Sequence, residues 1–138
     1  MTTAIFWPMI VQAALVYAIY AVMSRRRFES VRTGKARASD FRVPSVEPET
    51  SATAARSLSN QFELPVLFFV VCLSLQITAG VSYFVLVVAW IFVLSRVAHA
   101  AVHVTTNRLR YRRPLFVVGY IANFVLWLAL ALHLLGLA

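Results

Sequence analysis

The chain has 138 residues, of which 61% are hydrophobic and only 13% are charged. Soluble domains run at about 45–50% apolar and about 25% charged, so the composition excludes an ordinary soluble fold. The net charge of +8 would suit nucleic acid in a soluble protein, but here the basic residues flank apolar runs, which points to a membrane surface and away from nucleic acid.

Taken in chain order, the sequence predicts an all-α membrane protein with four transmembrane helices. The first runs from about residue 4 to 23 and ends at the cluster Ser24-Arg25-Arg26-Arg27. No Lys or Arg precedes it, and Pro8 and Gln12 interrupt it, so it reads as a retained helix and not as a signal peptide. Residues 24–50 form the one long loop, basic in its first half and irregular from Val43, with Pro44 and Pro48. A second helix is expected over 51–79, capped by Thr50 or Ser51 with Glu49 at its positive end, and with a kink at Pro65. Ala79-Gly80 makes a short uncharged turn into a third helix over 81–103. The fourth covers 114–137, with Pro114 in its first turn. Four spans of about 20 residues leave no room for a separate soluble domain. Cys72 is the only cysteine and lies in an apolar run, which excludes an intramolecular disulfide and a Cys-based metal site.

The charges predict the topology. Of the 13 Lys and Arg, all except Arg96 lie in the loop after helix 1, at the start of helix 2, or in the link after helix 3. The positive-inside rule then puts these basic segments in the cytoplasm and both termini outside.

Polar residues collect at the basic ends of helices 2 and 3. Arg56, Asn60 and Glu63 are spaced four and three apart, and so are expected on one helix face. Arg96, His99 and His103 are spaced three and four, with the same consequence. An arginine near the centre of a span costs about 2.5–3.5 kcal/mol on insertion scales. Snorkelling to the headgroups explains one such arginine but not a second polar stripe at the same level. A Glu63–Arg96 pair would neutralise the charge, either as a purely structural tie or as part of a site. The two histidines four apart invite a metal, but no carboxylate stands beside them in sequence, and no metal is expected. Asn123 lies deeper in helix 4, where it can bond between helices.

These stripes carry a family resemblance. Arg56-Ser-Leu-Ser-Asn60-Gln-Phe-Glu63-Leu-Pro65 resembles the helix 2 signature of the MAPEG family, the membrane-associated proteins of eicosanoid and glutathione metabolism. Ser95-Arg96-Val-Ala-His99-Ala-Ala-Val-His103 resembles its helix 3 signature, and the arginine-rich link Arg108–Arg113 also fits. The resemblance implies a four-helix protomer that assembles as a homotrimer, with glutathione between subunits and a lipophilic substrate arriving from the bilayer. It implies glutathione binding by Arg56, Asn60, Glu63, Arg96, His99 and His103. It also implies that Arg112 or Arg113 faces the glutathione sulfur as the catalytic group.

The sequence departs from that pattern at three places, one of them Leu58, which stands where some eicosanoid enzymes of the family have histidine. His103 stands where a tyrosine is usual, and Phe116 and Val117 occupy the positions four residues after the two arginines, where another tyrosine is expected. The expected function is a glutathione-dependent transferase or peroxidase acting on lipophilic electrophiles. The alternative is a member that binds lipid or glutathione without chemistry. A small multidrug transporter would carry an acid in helix 1, and this helix has none.

Overall fold

A computed structural model describes residues 3–42 and 49–137. A single 3-10 turn, Thr3–Ile5, leads into α1 (Phe6–Arg32), and a second 3-10 segment spans Ala38–Arg42. Then follow α2 (Glu49–Ser59), α3 (Leu64–Ile77), α4 (Tyr83–Val104) and α5 (Leu109–Leu134). Four stretches are long and apolar enough to cross a membrane: Thr3–Arg32, Ser51–Ile77, Tyr83–Val104 and Leu109–Leu134. The chain is therefore an all-helical, multi-pass membrane protein.

The core lies between α3, α4 and α5. Phe68 of α3 stacks on Phe92 of α4 with ring centroids 4.3 Å apart. Ile5, Val71, Cys72, Leu75, Ala89 and Leu126 are wholly buried around them. Larger apolar side chains such as Ile10, Leu73, Leu94 and Phe124 point outward, as a bilayer requires and water would not permit. The α4–α5 contact is close because Gly119 has no side chain: a Cβ there would stand 2.7 Å from Ser95 Oγ. At the end of the bundle away from the arginines, Ser82 Oγ accepts from the Val85 N–H and caps α4. At the same end the His133 ring covers Gly80, and its Nε2 lies 2.9 Å from the Thr78 carbonyl.

Three boundaries differ from those the sequence suggests. First, α1 does not stop at residue 23 but continues through the arginine cluster to Arg32. The Ser24–Arg27 cluster changes polarity, not helix propensity, because arginine is a good helix former. The helix ends where Gly34 takes a positive φ of 70°. Second, α5 begins at Leu109, five residues before Pro114. Asn107 in the left-handed region (φ 50°) and extended Arg108 make the entry turn. Pro114 then forgoes a bond to the Arg110 carbonyl, which a transmembrane helix tolerates.

Third, the expected helix over 51–79 is two helices. After Ser59 the backbone tightens into three-residue turns, with Gln61 N–H bonded to Leu58 O and Phe62 N–H to Ser59 O, both at 2.9 Å. Pro65 in the first turn of α3 removes one donor and clashes with the carbonyl four residues back, which breaks the helix at 60–63. Arg56, Asn60 and Glu63 thus do not share a continuous helix face. The irregular stretch read from Val43 falls partly on 43–48, outside the described residues; α2 itself is already helical at Glu49.

Candidate functional site

The broken helix sets the geometry. Non-helical backbone at membrane depth leaves polar groups that must find partners inside the protein. Arg96 supplies one: its guanidinium donates to the Asn60 carbonyl at 2.7 Å, at the C-terminal end of α2. A cation there also meets the negative end of the helix dipole. Arg96 stands eight residues before the end of α4, about 12 Å along the axis, so the break lies roughly a third of the way into the span. Gln61 supplies the other tie. Buried Gln12 of α1 donates to Gln61 Oε1 at 3.0 Å, and Gln61 donates on to the Ser57 carbonyl at 3.3 Å.

The expected Glu63–Arg96 ion pair does not form. Arg96 is wholly buried and turns to the backbone of Asn60, while Glu63 is exposed at the N-terminal edge of α3. A freed carbonyl fixed beside the guanidinium outcompetes a carboxylate that keeps its water.

Between the break and the entrance of α5 opens a polar cleft of ≈ 330 Å3. It is lined by Arg56 of α2, Asn60 and Glu63 of the break, His103 of α4, and Asn107 and Arg112 at the α4–α5 link, with Thr53 and Ser59 on its rim. Sites for small molecules fall at about 300–1,000 Å3, so the cleft has room for one. Arg112 is half-buried and held by a 2.6 Å bond from its NH1 to Asn107 Oδ1. His103 is buried, and its Nδ1 has no hydrogen-bond partner among the described residues.

Arg96 and His99 lie behind this cleft and do not line it. Phe116 of α5 covers both, its ring centroid 5.9 Å from the Arg96 guanidinium carbon and 5.8 Å from the His99 ring. The two histidine rings meet edge to face at 5.7 Å. Among the described residues, Arg96 Nε and NH1 and His99 Nδ1 have no hydrogen-bond partner, and the Phe116 ring that covers them offers no polar atom. Among the described residues, no three His, Cys, Asp or Glu side chains gather to hold a metal ion.

The structure separates the two candidate arginines of α5. Arg112 faces the cleft, whereas Arg113 lies with Leu109, Arg110, Pro114, Val117 and Val118 along a different groove. Consecutive residues on a helix point about 100° apart, so one side of α5 cannot present both.

Several contributors were not singled out in the sequence. Arg26, on the basic extension of α1, donates to Thr53 Oγ1 of α2 at 3.1 Å and to the Val104 carbonyl at the end of α4. It ties α1 to α2 and to the end of α4, two of the elements that frame the cleft. Asn107 positions Arg112. The sequence carried no signal for Asn107, because the helix it precedes was expected only from residue 114; asparagine tolerates the left-handed conformation it takes just before α5. Gln61 carried a clearer signal, as a second amide in a span whose neighbour already holds Gln12.

Fold and cleft together define a polytopic helical membrane protein with a basic, hydrogen-bonding recess at one end of its bundle. Residues 4–132 of the 138-residue chain match the model of the MAPEG family. The chain belongs to that family, and with it to the membrane proteins of glutathione and eicosanoid metabolism. Neither the curated proteins nor the solved structures contain a match to it.

Proposed function

We propose that the protein is a glutathione-dependent transferase or peroxidase that acts on lipophilic electrophiles at the membrane. The observation that carries the reading is the cleft, in which two arginines, a carboxylate, a histidine and two amides converge within one recess. Glutathione has two carboxylates, one amine and one thiol. Arg56 and Arg112 are suited to carboxylate and thiolate, since guanidinium donors make the stronger charge-assisted bonds. Glu63 is suited to the amine. An ordinary thiol has a pKa of about 8.5 and is only a few per cent ionised at neutral pH. A fixed guanidinium beside it favours the thiolate, the form that reacts. Arg112, already oriented by Asn107, has this role, and Arg113 does not.

Arg96 and His99 act here as support, holding the break that presents Asn60 and Glu63. A homotrimer would close the cleft, which is framed by exposed Arg56, Glu63 and Asn107, against a neighbouring subunit. The lipophilic partner would enter along the outward apolar faces from the bilayer.

A second reading is favoured by one observation. Phe116 removes the hydroxyl expected on α5, and a protein that binds glutathione without turning it over would keep the cleft and lose such a group.

The test is conjugation of glutathione to chlorodinitrobenzene by protein purified in detergent. Wild type should exceed an empty-membrane control. Arg112→Ala should lower turnover by about 10²–10³-fold, as loss of a preorganised charge does, while Arg113→Ala should stay within about threefold. Turnover at the control level, together with a thermal shift on adding glutathione, would decide for binding alone.

A further inference from the structure

We propose that the groove at the start of α5 holds an anionic phospholipid: Arg110 and Arg113 grip its phosphate, and an acyl chain runs down the apolar face beyond them. The site is separate from the cleft and does not depend on the glutathione reading.

The groove has a volume of ≈ 610 Å3 and is lined by α5 alone. Arg110 and Arg113 line the part near the helix start, and Pro114, Val117 and Val118 the part nearer the bilayer centre. All of these are exposed, and Arg112, which serves the cleft, points to another side of the helix. Residues three apart on a helix have Cβ atoms about 5–6 Å from each other, so both guanidinium groups can reach one phosphate. Beyond the arginines, Val117, Ile121, Phe124 and Leu128 follow at steps of four, three and four, and so share one face. Each is between 46% and 61% exposed, which leaves an apolar track down the helix.

The depth fits a phospholipid. A hydrocarbon core of about 30 Å takes about 20 helical residues. Counted back from Leu134, the end of α5, the hydrocarbon boundary falls at about Leu115. Arg113 and Arg110 then stand about 3 and 7.5 Å beyond it, at about 1.5 Å per residue. The headgroup layer is about 5–7.5 Å deep on each side, so both arginines lie where phosphates are. Tyr111, 52% exposed, stands at the same level, as aromatic residues do at the membrane–water boundary.

The charge selects the headgroup. No Asp or Glu follows Glu63 in the sequence, and no acid lines the groove. Arg96 and Arg112 each donate to a group of the protein. Arg110 and Arg113 make neither a side-chain hydrogen bond nor an ion pair with any described residue. A phosphate between them accepts from both and relieves their mutual repulsion. A zwitterionic lipid brings its own cation into the same layer and leaves this local positive charge uncompensated. A headgroup with a net negative charge compensates it. The apolar track favours a lipid over a soluble phosphate, which would leave Val117 and Val118 uncovered.

The experiment places the full chain, without glutathione, in phosphatidylcholine vesicles holding a small fraction of phosphatidylglycerol with a photoactivatable acyl chain. After irradiation, mass spectrometry of the peptides locates the label. Label from wild type should concentrate on α5 between Pro114 and Phe124, several-fold above the other spans. Phosphatidylcholine with the same photoactivatable chain should label that stretch several-fold less. Arg110→Gln with Arg113→Gln should lower the phosphatidylglycerol label by about fivefold for each charge removed. Arg110→Lys with Arg113→Lys should keep most of it. Arg25→Gln with Arg32→Gln removes the same charge from exposed sites at the same end of the bundle and should leave the label in place. Millimolar glycerol phosphate should not compete. Equal labelling by the two lipids would overturn the proposal, and this comparison needs only wild type. So would label spread evenly over the spans, or label missing from α5 because a second copy of the chain covers the groove. An equal loss in both glutamine pairs would reduce the effect to general surface charge, and displacement by glycerol phosphate would make the ligand a soluble phosphate; either result sinks the lipid site. None of these outcomes touches the cleft, whose reading stands or falls on the conjugation assay.

Discussion

At the scale of single residues, Gly119 decides how closely α5 can approach the Arg96 level of α4. The atom its absent Cβ would strike, Ser95 Oγ at 2.7 Å, is on a short side chain pinned by a 2.6 Å bond to the Phe92 carbonyl. It has little room to give. Gly119→Ala should therefore push the two helices apart and cost about 1–3 kcal/mol, the usual range for overpacking. Thermal unfolding in detergent should show a lower midpoint, and adding Ser95→Ala should restore most of it. An unchanged midpoint for Gly119→Ala alone would mean that the helices are not held this closely. Such a contact is invisible in sequence, where Gly119 is one glycine in an apolar run. Arg96 was legible as an expensive residue that needed a partner, but its partner was misread: a carboxylate three residues from Asn60 looked better than a backbone carbonyl that only a broken helix sets free.

At the scale of elements, the spans could be read because bilayer thickness imposes their length and composition. Their ends could not be read as well. Polarity changes at residue 24, yet α1 runs on for eight residues beyond it, because hydropathy reports the solvent and not the backbone. The break at 60–63 depends on Pro65 and also on a partner in another helix, Gln12, whose register no local pattern encodes. That tie can be tested. Gln12→Leu leaves buried Gln61 Oε1 without its donor and should cost about 1–3 kcal/mol. The double variant Gln12→Leu, Gln61→Leu removes both polar ends and should unfold closer to wild type than the single variant does. Equal midpoints for wild type and Gln12→Leu would show that the amide pair contributes nothing. The candidate site was legible as a set of residue types, and the structure divides that set. Arg56, Asn60, Glu63, His103 and Arg112 line the cleft, Arg96 and His99 stand behind it, and Arg113 faces elsewhere.

At the scale of the whole molecule, the basic segments gather at one end of the bundle and the uncharged turn at the other. The positive-inside rule then predicts that the cleft opens to the cytoplasm. Cys72 is wholly buried, so single cysteines introduced elsewhere in a Cys72→Ala background will report their own side. Ser39→Cys and Thr106→Cys should react with a membrane-impermeant maleimide only after the membrane is opened. Tyr83→Cys and Leu137→Cys should react from outside in intact cells. The reverse pattern would invert the topology.

The break in the second span also bears on how the chain enters the membrane. With its polar first part cut away at Asn60, α3 offers 14 residues where a span needs about 20. It is joined to the 22 residues of α4 by a tight turn without charges. Too short to partition alone, α3 should wait at the translocon for α4, and the two should enter the lipid as a hairpin. A nascent chain arrested before α4 emerges should leave α3 open to protease, and one arrested after α4 should protect both.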